Sequence, residues 1–204
     1  RSNSSNLAPR ASLELAILAG VRSGEARGAR FDEFDLAAAE WLIPAERMKA
    51  RKPHRVPLSR QAVDLVRRMM AERDVRVGTA GLRYVNESLL FPSNDRRGEL
   101  TAQSVIKTMR TAGGGEYKPH GFRSTLRDWA EEVAGARHSV AEAMLAHRVG
   151  DATVASYKRG DNFQERGKLM QAWADHILPE QDDGEDNNDA DDDISQFEET
   201  DADL

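Results

Sequence analysis

Two pairs of polar residues spaced three apart are the first chemical signals in this chain. His120 and Arg123, in PHGFR, share one helical face if the segment is helical, and Pro119 can start such a helix. A phosphodiester invites both types: arginine offers a planar fork of donors to phosphate oxygens, and histidine moves a proton near neutral pH. Arg22 and Glu25, in GVRSGE, repeat the spacing, so the acid can hold the guanidinium ready for an anion. Lys49 lies in AERMKARKPHR, where Arg47, Arg51, Lys52 and Arg55 add positive charge suited to a phosphate backbone. His147 and Tyr157 stand ten residues apart, and a tyrosine can act as a covalent nucleophile. Each feature also has a plain structural reading as a surface ion pair, a solvated charge run or a packed ring. Taken singly, none carries a function.

The elements that must position these residues are mostly helical. Leu13, Ala16, Ile17 and Leu18 form a short helical face ending at Gly20, and a second short helix is expected from an N-cap at Ser23 to about Arg30. Phe31–Leu36 reads as strand or turn. EWLIP (40–44) and RVPL (55–58) read as two strands, with the basic stretch Arg47–Lys52 turning between them. Ser59 then caps an amphipathic helix whose apolar face is Ala62, Val63, Leu65, Val66, Met69 and Met70. Residues 74–87 are weakly patterned, and Leu89–Pro92 is a short extended run. Helices are expected over Thr101–Arg110, Phe122–Val133, His138–Ala146, Asp151–Tyr157 and Phe163–Ile177, with Gly113–Gly115 a flexible interruption and Pro179 a stop. The class is α+β, mainly helical, with a small antiparallel sheet. It lacks the βαβ rhythm of Rossmann and P-loop enzymes.

Charge divides the 204 residues unevenly. The net charge is −6, from 35 acidic and 29 basic side chains. Residues 180–204 hold 13 of the acids and no Lys or Arg, so the preceding body carries +7. That acidic segment reads as a disordered tail, and residues 1–10 as a leader or truncated start. The absence of cysteine excludes disulfides, Cys-based zinc sites, iron–sulfur clusters and thiol nucleophiles. A mean hydropathy of −0.66 and the shortness of the longest apolar run give no membrane span. No signal peptide is evident, so a cytoplasmic location is expected.

Order and local wording say more than the single residues. From about Leu13 to Leu178 the chain resembles the catalytic domain of the tyrosine recombinases, or phage integrases, especially the P4-like prophage and genomic-island group. GVRSGEARGARFDEFDL resembles the segment of the first catalytic arginine, which places that role on Arg22 with Glu25 in support. WLIPAERMKARKPHRVPLS resembles the family hairpin and puts its lysine at Lys49. KPHGFRSTLRDWA supplies the His-x-x-Arg pair, His120 and Arg123. MLAHRVGDATVASYKRGDNFQERGKLMQAWADHI contains the second histidine, His147, the nucleophile, Tyr157, and a closing helix similar to that of the P4-like group.

The resemblance implies site-specific DNA recombination by strand cleavage and religation through a 3′-phosphotyrosyl intermediate, with no metal and no cofactor. The implied partners are double-stranded DNA at attachment sites and further copies of the chain, as a tetramer on DNA, with no membrane. Catalytic roles fall on Arg22, Lys49, His120, Arg123, His147 and Tyr157, with Glu25 behind them. Arg27, Arg51 and Lys52 are candidate phosphate contacts. The arm-type and core-binding domains of full-length members are not found in these residues, and residues 11–179 are expected to be a catalytic domain with an abbreviated start. Weaker DNA binding is therefore expected. A catalytically silent DNA-binding remnant remains the alternative, and a related topoisomerase is a third, weaker one.

Overall fold

The computed structural model describes residues 7–80, 88–93, 98–147 and 161–179. The helix expected over Asp151–Tyr157, Tyr157 itself and the acidic segment all lie outside the described residues. Helix α1 runs Leu7–Leu18 and buries Ala8, Ala11, Leu15 and Leu18, a three-to-four spacing that puts one stripe on the core. It starts six residues before Leu13, because Pro9 sits in the first turn, where a missing N–H costs nothing. Leu7–Arg10, expected as part of a leader, are therefore helical. Gly20, at φ +62°, turns the chain into α2 (Ser23–Arg27).

Three short strands follow in the order β1 (Phe34–Asp35), β2 (Glu40–Ile43) and β3 (His54–Pro57), all antiparallel. Trp41 faces Val56 and Ile43 faces His54 across β2 and β3. Alternation then buries Trp41 and Ile43 and exposes Leu42. Phe34 stacks on Trp41 with ring centroids 5.0 Å apart. The link between β2 and β3 is longer than a tight turn: it contains a 3-10 turn at Ala45–Arg47 and buries Met48.

Helix α3 spans Arg60–Ala80, and Ser59 Oγ accepts from the Ala62 amide at 3.2 Å, the cap expected from the sequence. Its expected apolar residues Ala62, Val63, Leu65, Val66 and Met69 are buried. Leu89, Leu90 and Phe91 are also buried, and the Leu90 amide reaches the Ala29 carbonyl at 2.8 Å. Helix α4 (Ala102–Met109) is capped by Thr101 and runs into a wider turn through Gly114.

Helices α5 (Gly121–Glu132), α6 (His138–Met144) and α7 (Phe163–Ile177) share a second core of Leu126, Ala130, Met144, Met170 and Trp173. Burying a side chain such as Leu126 stabilises the fold by about 1.5–3 kcal/mol. Trp173 Nε1 donates to the Ile17 carbonyl at 3.0 Å, which ties α7 to α1. Two cores joined in this way bring the α1–α2 turn, the β2–β3 link and the start of α5 to one place. Among the described residues no helix is long and apolar enough to cross a membrane.

Candidate active site

Arg22 is the cap residue of α2 rather than Ser23, and α2 ends at Arg27 rather than near Arg30. The cause is Glu25: its carboxylate accepts from the Arg22 amide at 2.8 Å and from the Arg22 guanidinium at 2.8 Å. A single acid thus caps a helix and aims an arginine. Glu25 is 5% exposed and Arg22 is partly open to solvent, so the open side of the cation faces outward.

Arg123, one turn into α5, is 3% exposed. Its guanidinium donates to the Gly20 carbonyl, and to the Leu145 carbonyl at 2.6 Å. The same Nη2 lies 3.3 Å from His147 Nε2. Burial first, and then the neighbouring charge of Arg22, push the Arg123 guanidinium down to about 10, with Glu25 and Glu142 opposing. It remains a cation at neutral pH. Its buried Nε has no partner among the described residues, an unspent donor beside a partly open Arg22.

His147 follows α6, and its Nδ1 lies 2.9 Å from Glu142 Oε2. Arginine can only donate, so Nε2 facing Arg123 is the acceptor and Nδ1 carries the proton toward Glu142. Glu142 was not marked by the sequence, because nothing in a five-residue separation signals such a pairing. His120 caps α5 with exposed side chain and lies one turn before Arg123, as the spacing predicted. The helix starts at Gly121, two residues after Pro119.

The basic link between β2 and β3 does not behave as one surface. Arg47 turns inward to the Glu33 carboxylate and the Glu25 carbonyl, and Glu33 also accepts from Trp41 Nε1 at 3.0 Å. Arg55 forks onto Glu40 at 2.9 and 2.7 Å. Lys49, Arg51 and Lys52 remain exposed, with no ion pair to any described residue. Arg27, expected as a phosphate contact, is instead half-buried and donates to the Leu100 carbonyl. Its guanidinium joins α2 to the segment before α4.

His54 on β3 escaped the sequence reading. Desolvation foremost, then the charge of Arg166, holds its ring down to about 4; Arg123 adds to this and Glu25 opposes it. Glu131, His138 and Glu142 place possible metal-ligand atoms within 4.8 Å of one another. His138 already pairs with Glu131 at 2.8 Å and Glu142 with His147, so ordinary hydrogen bonds explain the group.

The arrangement brings Arg22, Arg123 and the His147 imidazole together from distant parts of the chain, and His120 stands exposed at the start of the helix that carries Arg123. Such a group can hold a tetrahedral anion and strengthen as charge builds on it. Lys49 lies on the link reached from the same sheet, and Tyr157 lies outside the described residues.

Known proteins share this chain's sequence and shape. The model of the phage integrase family matches residues 1–162. The prophage integrase IntA of Escherichia coli K12 is 34% identical over 162 residues, covering 79% of this chain and 37% of that protein. The integrase of Enterobacteria phage P4 is 30% identical over 185 residues, covering 82% of this chain and 40% of its own length. Among solved structures, an integrase from mycobacterium phage Brujita superposes with a TM-score of 0.59 at 19% identity, over 81% of this chain and 51% of that one. The XerA recombinase gives 0.51 at 17% identity, over 88% and 63%. These two share the mainly helical fold with its small antiparallel sheet. The chain spans about two fifths of the length of the two curated relatives. A family match over most of the sequence, joined to this fold, means that the chain belongs to the phage integrase, or tyrosine recombinase, family.

Proposed function

We propose that this body is the catalytic domain of a site-specific recombinase of the P4-like group, acting on double-stranded DNA at attachment sites in the cytoplasm. The observation that carries the reading is the junction at Arg123. One guanidinium binds the carbonyl two residues before Arg22 and meets His147, so three expected catalytic residues share one site.

In the reaction, the Tyr157 hydroxyl attacks the scissile phosphorus and passes its proton to His120. A tyrosine hydroxyl has a reference pKa of about 10 and needs that help within a cationic site. Negative charge then builds on the non-bridging oxygens, where Arg22 and Arg123 clamp it and His147 contributes a hydrogen bond. For that bond Nε2 must leave Arg123 and carry the proton it offers the phosphate, with Glu142 steadying the ring at Nδ1. The bond to the 5′-oxygen breaks, and Lys49 supplies the proton that the leaving oxygen needs. One phosphodiester is exchanged for a 3′-phosphotyrosyl ester, so no high-energy cofactor is needed. Attack by a 5′-hydroxyl on that ester reverses the steps and joins the strands. Four copies on two duplexes complete an exchange.

The test is a DNA duplex nicked beside the scissile phosphate, from which the cleaved fragment diffuses away. Protein covalently attached to DNA on a denaturing gel, lost in Tyr157→Phe, is the expected result. No adduct on a substrate cut by a full-length relative would favour a silent DNA-binding remnant.

A further inference from the structure

Arg166 lies nine residues after Tyr157 in the sequence, and nothing in the mechanism above uses it. It is 2% exposed, an expensive place for a cation unless its donors are all engaged. Each of its three nitrogens has a partner. Nε donates to the Asp161 carbonyl at 2.8 Å, Nη2 to the Asp161 carboxylate at 3.0 Å, and Nη1 to the Arg55 carbonyl on β3 at 2.8 Å. Arg55 closes the figure from the other side. Its Nη1 reaches the same Asp161 carboxylate at 3.3 Å, its fork holds Glu40 on β2, and its guanidinium lies 4.3 Å above the Phe163 ring. The Asp161 carboxylate also accepts from the Phe163 amide at 3.1 Å.

Asp161 is four residues after Tyr157, and β3 returns from the link that carries Lys49. A chain held at Asp161 is held close in sequence to the nucleophile. We propose that Arg166 is a positioning residue for strand cleavage: by holding Asp161 against the Arg55 carbonyl, it sets the nucleophile's arm of the chain at a given distance from the lysine's strand. This rests on the roles given above to Tyr157 and Lys49. Two acceptors on Asp161 and one on Arg55 diverge around a planar fork, and lysine, a single point donor on a flexible stem, cannot serve all three.

The test uses the full chain on the nicked duplex, reading the first-order cleavage rate at saturating DNA separately from DNA affinity. Asp161→Asn is the informative variant, because Asp161 is exposed and an amide keeps the carbonyl acceptor while losing the charge that gathers two guanidinia. It should leave Tm within about 2 °C and affinity within about twofold, yet slow cleavage about 10- to 100-fold. Arg166→Lys should slow cleavage at least as much, and the double variant no further, since both break one clamp. Met170→Ala, buried on the same helix, controls for lost stability. Assayed well below its Tm, it should cleave at nearly the wild-type rate. Wild-type cleavage by Asp161→Asn and Arg166→Lys, or an equal loss in Met170→Ala, overturns the proposal. An absent wild-type adduct, or one that survives Tyr157→Phe, overturns the reading beneath it and takes this proposal with it.

Discussion

Arg123 is joined to Gly20 across 103 residues by a guanidinium-to-carbonyl hydrogen bond, and the same glycine turns α1 into α2 with a left-handed backbone. A side chain at residue 20 would be strained twice. A Cβ there would press on Leu126 Cδ2, and φ +62° is a conformation that L-residues resist. Gly20→Ala should therefore cost about 1–3 kcal/mol of stability and move the carbonyl that Arg123 holds. A lower Tm in thermal unfolding, together with a cleavage loss that persists well below that Tm, is the expected pair of results. Unchanged values of both would show that the turn relaxes freely.

The His147–Glu142 pair makes a different prediction. Glu142→Gln keeps an oxygen for the Nδ1 proton, whereas Glu142→Ala leaves the ring to rotate. Cleavage on the nicked duplex should fall more for Ala than for Gln, by about tenfold, with DNA affinity little changed. Equal rates in the two variants would mean that Glu142 does not orient the ring.

His54 sets a pH dependence whose sign follows from proton counting. Its folded value of about 4 lies below the ordinary value of about 6.5, so the unfolded chain binds more protons between the two. Its contribution is present above about pH 6.5 and is lost as pH falls toward 4, by up to about 3 kcal/mol. Denaturant unfolding at pH 7, 5.5 and 4.5 should show this slope, and His54→Gln should flatten it. A slope unchanged in the variant would assign the dependence to other groups.

Much of this architecture was readable from local pattern. EWLIP alternates and RVPL is a short apolar run with a β-branched residue, so both read as strands and pair, and Ser59 capped α3 because the cap is a contact between neighbours in sequence. Arg22 with Glu25 and His120 with Arg123 were readable for the same reason. What escaped were partners distant along the chain. Arg47 looked like its neighbours in a charge run, but Glu33 and the Glu25 carbonyl draw it inward. Arg27, Arg166 and His54 likewise depend on contacts that no short spacing encodes. The start of α1 could have been found: Leu7, Ala8, Ala11 and Leu15 follow the helical period, and Pro9 is compatible with a first turn.

That division of the basic residues can be measured through salt. Arg51 and Lys52 are exposed, so if each meets a phosphate, replacing either by Ala should reduce the slope of log affinity against log salt by about one. Arg27→Ala should leave the slope alone and lower Tm, because its guanidinium serves the Leu100 carbonyl. The opposite pattern would return Arg27 to the DNA-facing group.

Both anchors of Arg123 are main-chain carbonyls, those of Gly20 and Leu145. A carbonyl is offered by every amino acid, so the bond at residue 145 survives any substitution that leaves the local backbone path and packing intact. Arg123 is thereby insulated from changes in the side chains around it. Neighbouring sequence can diverge widely while the guanidinium stays aimed, and the damaging changes are those that bend the chain rather than those that merely alter its side chains.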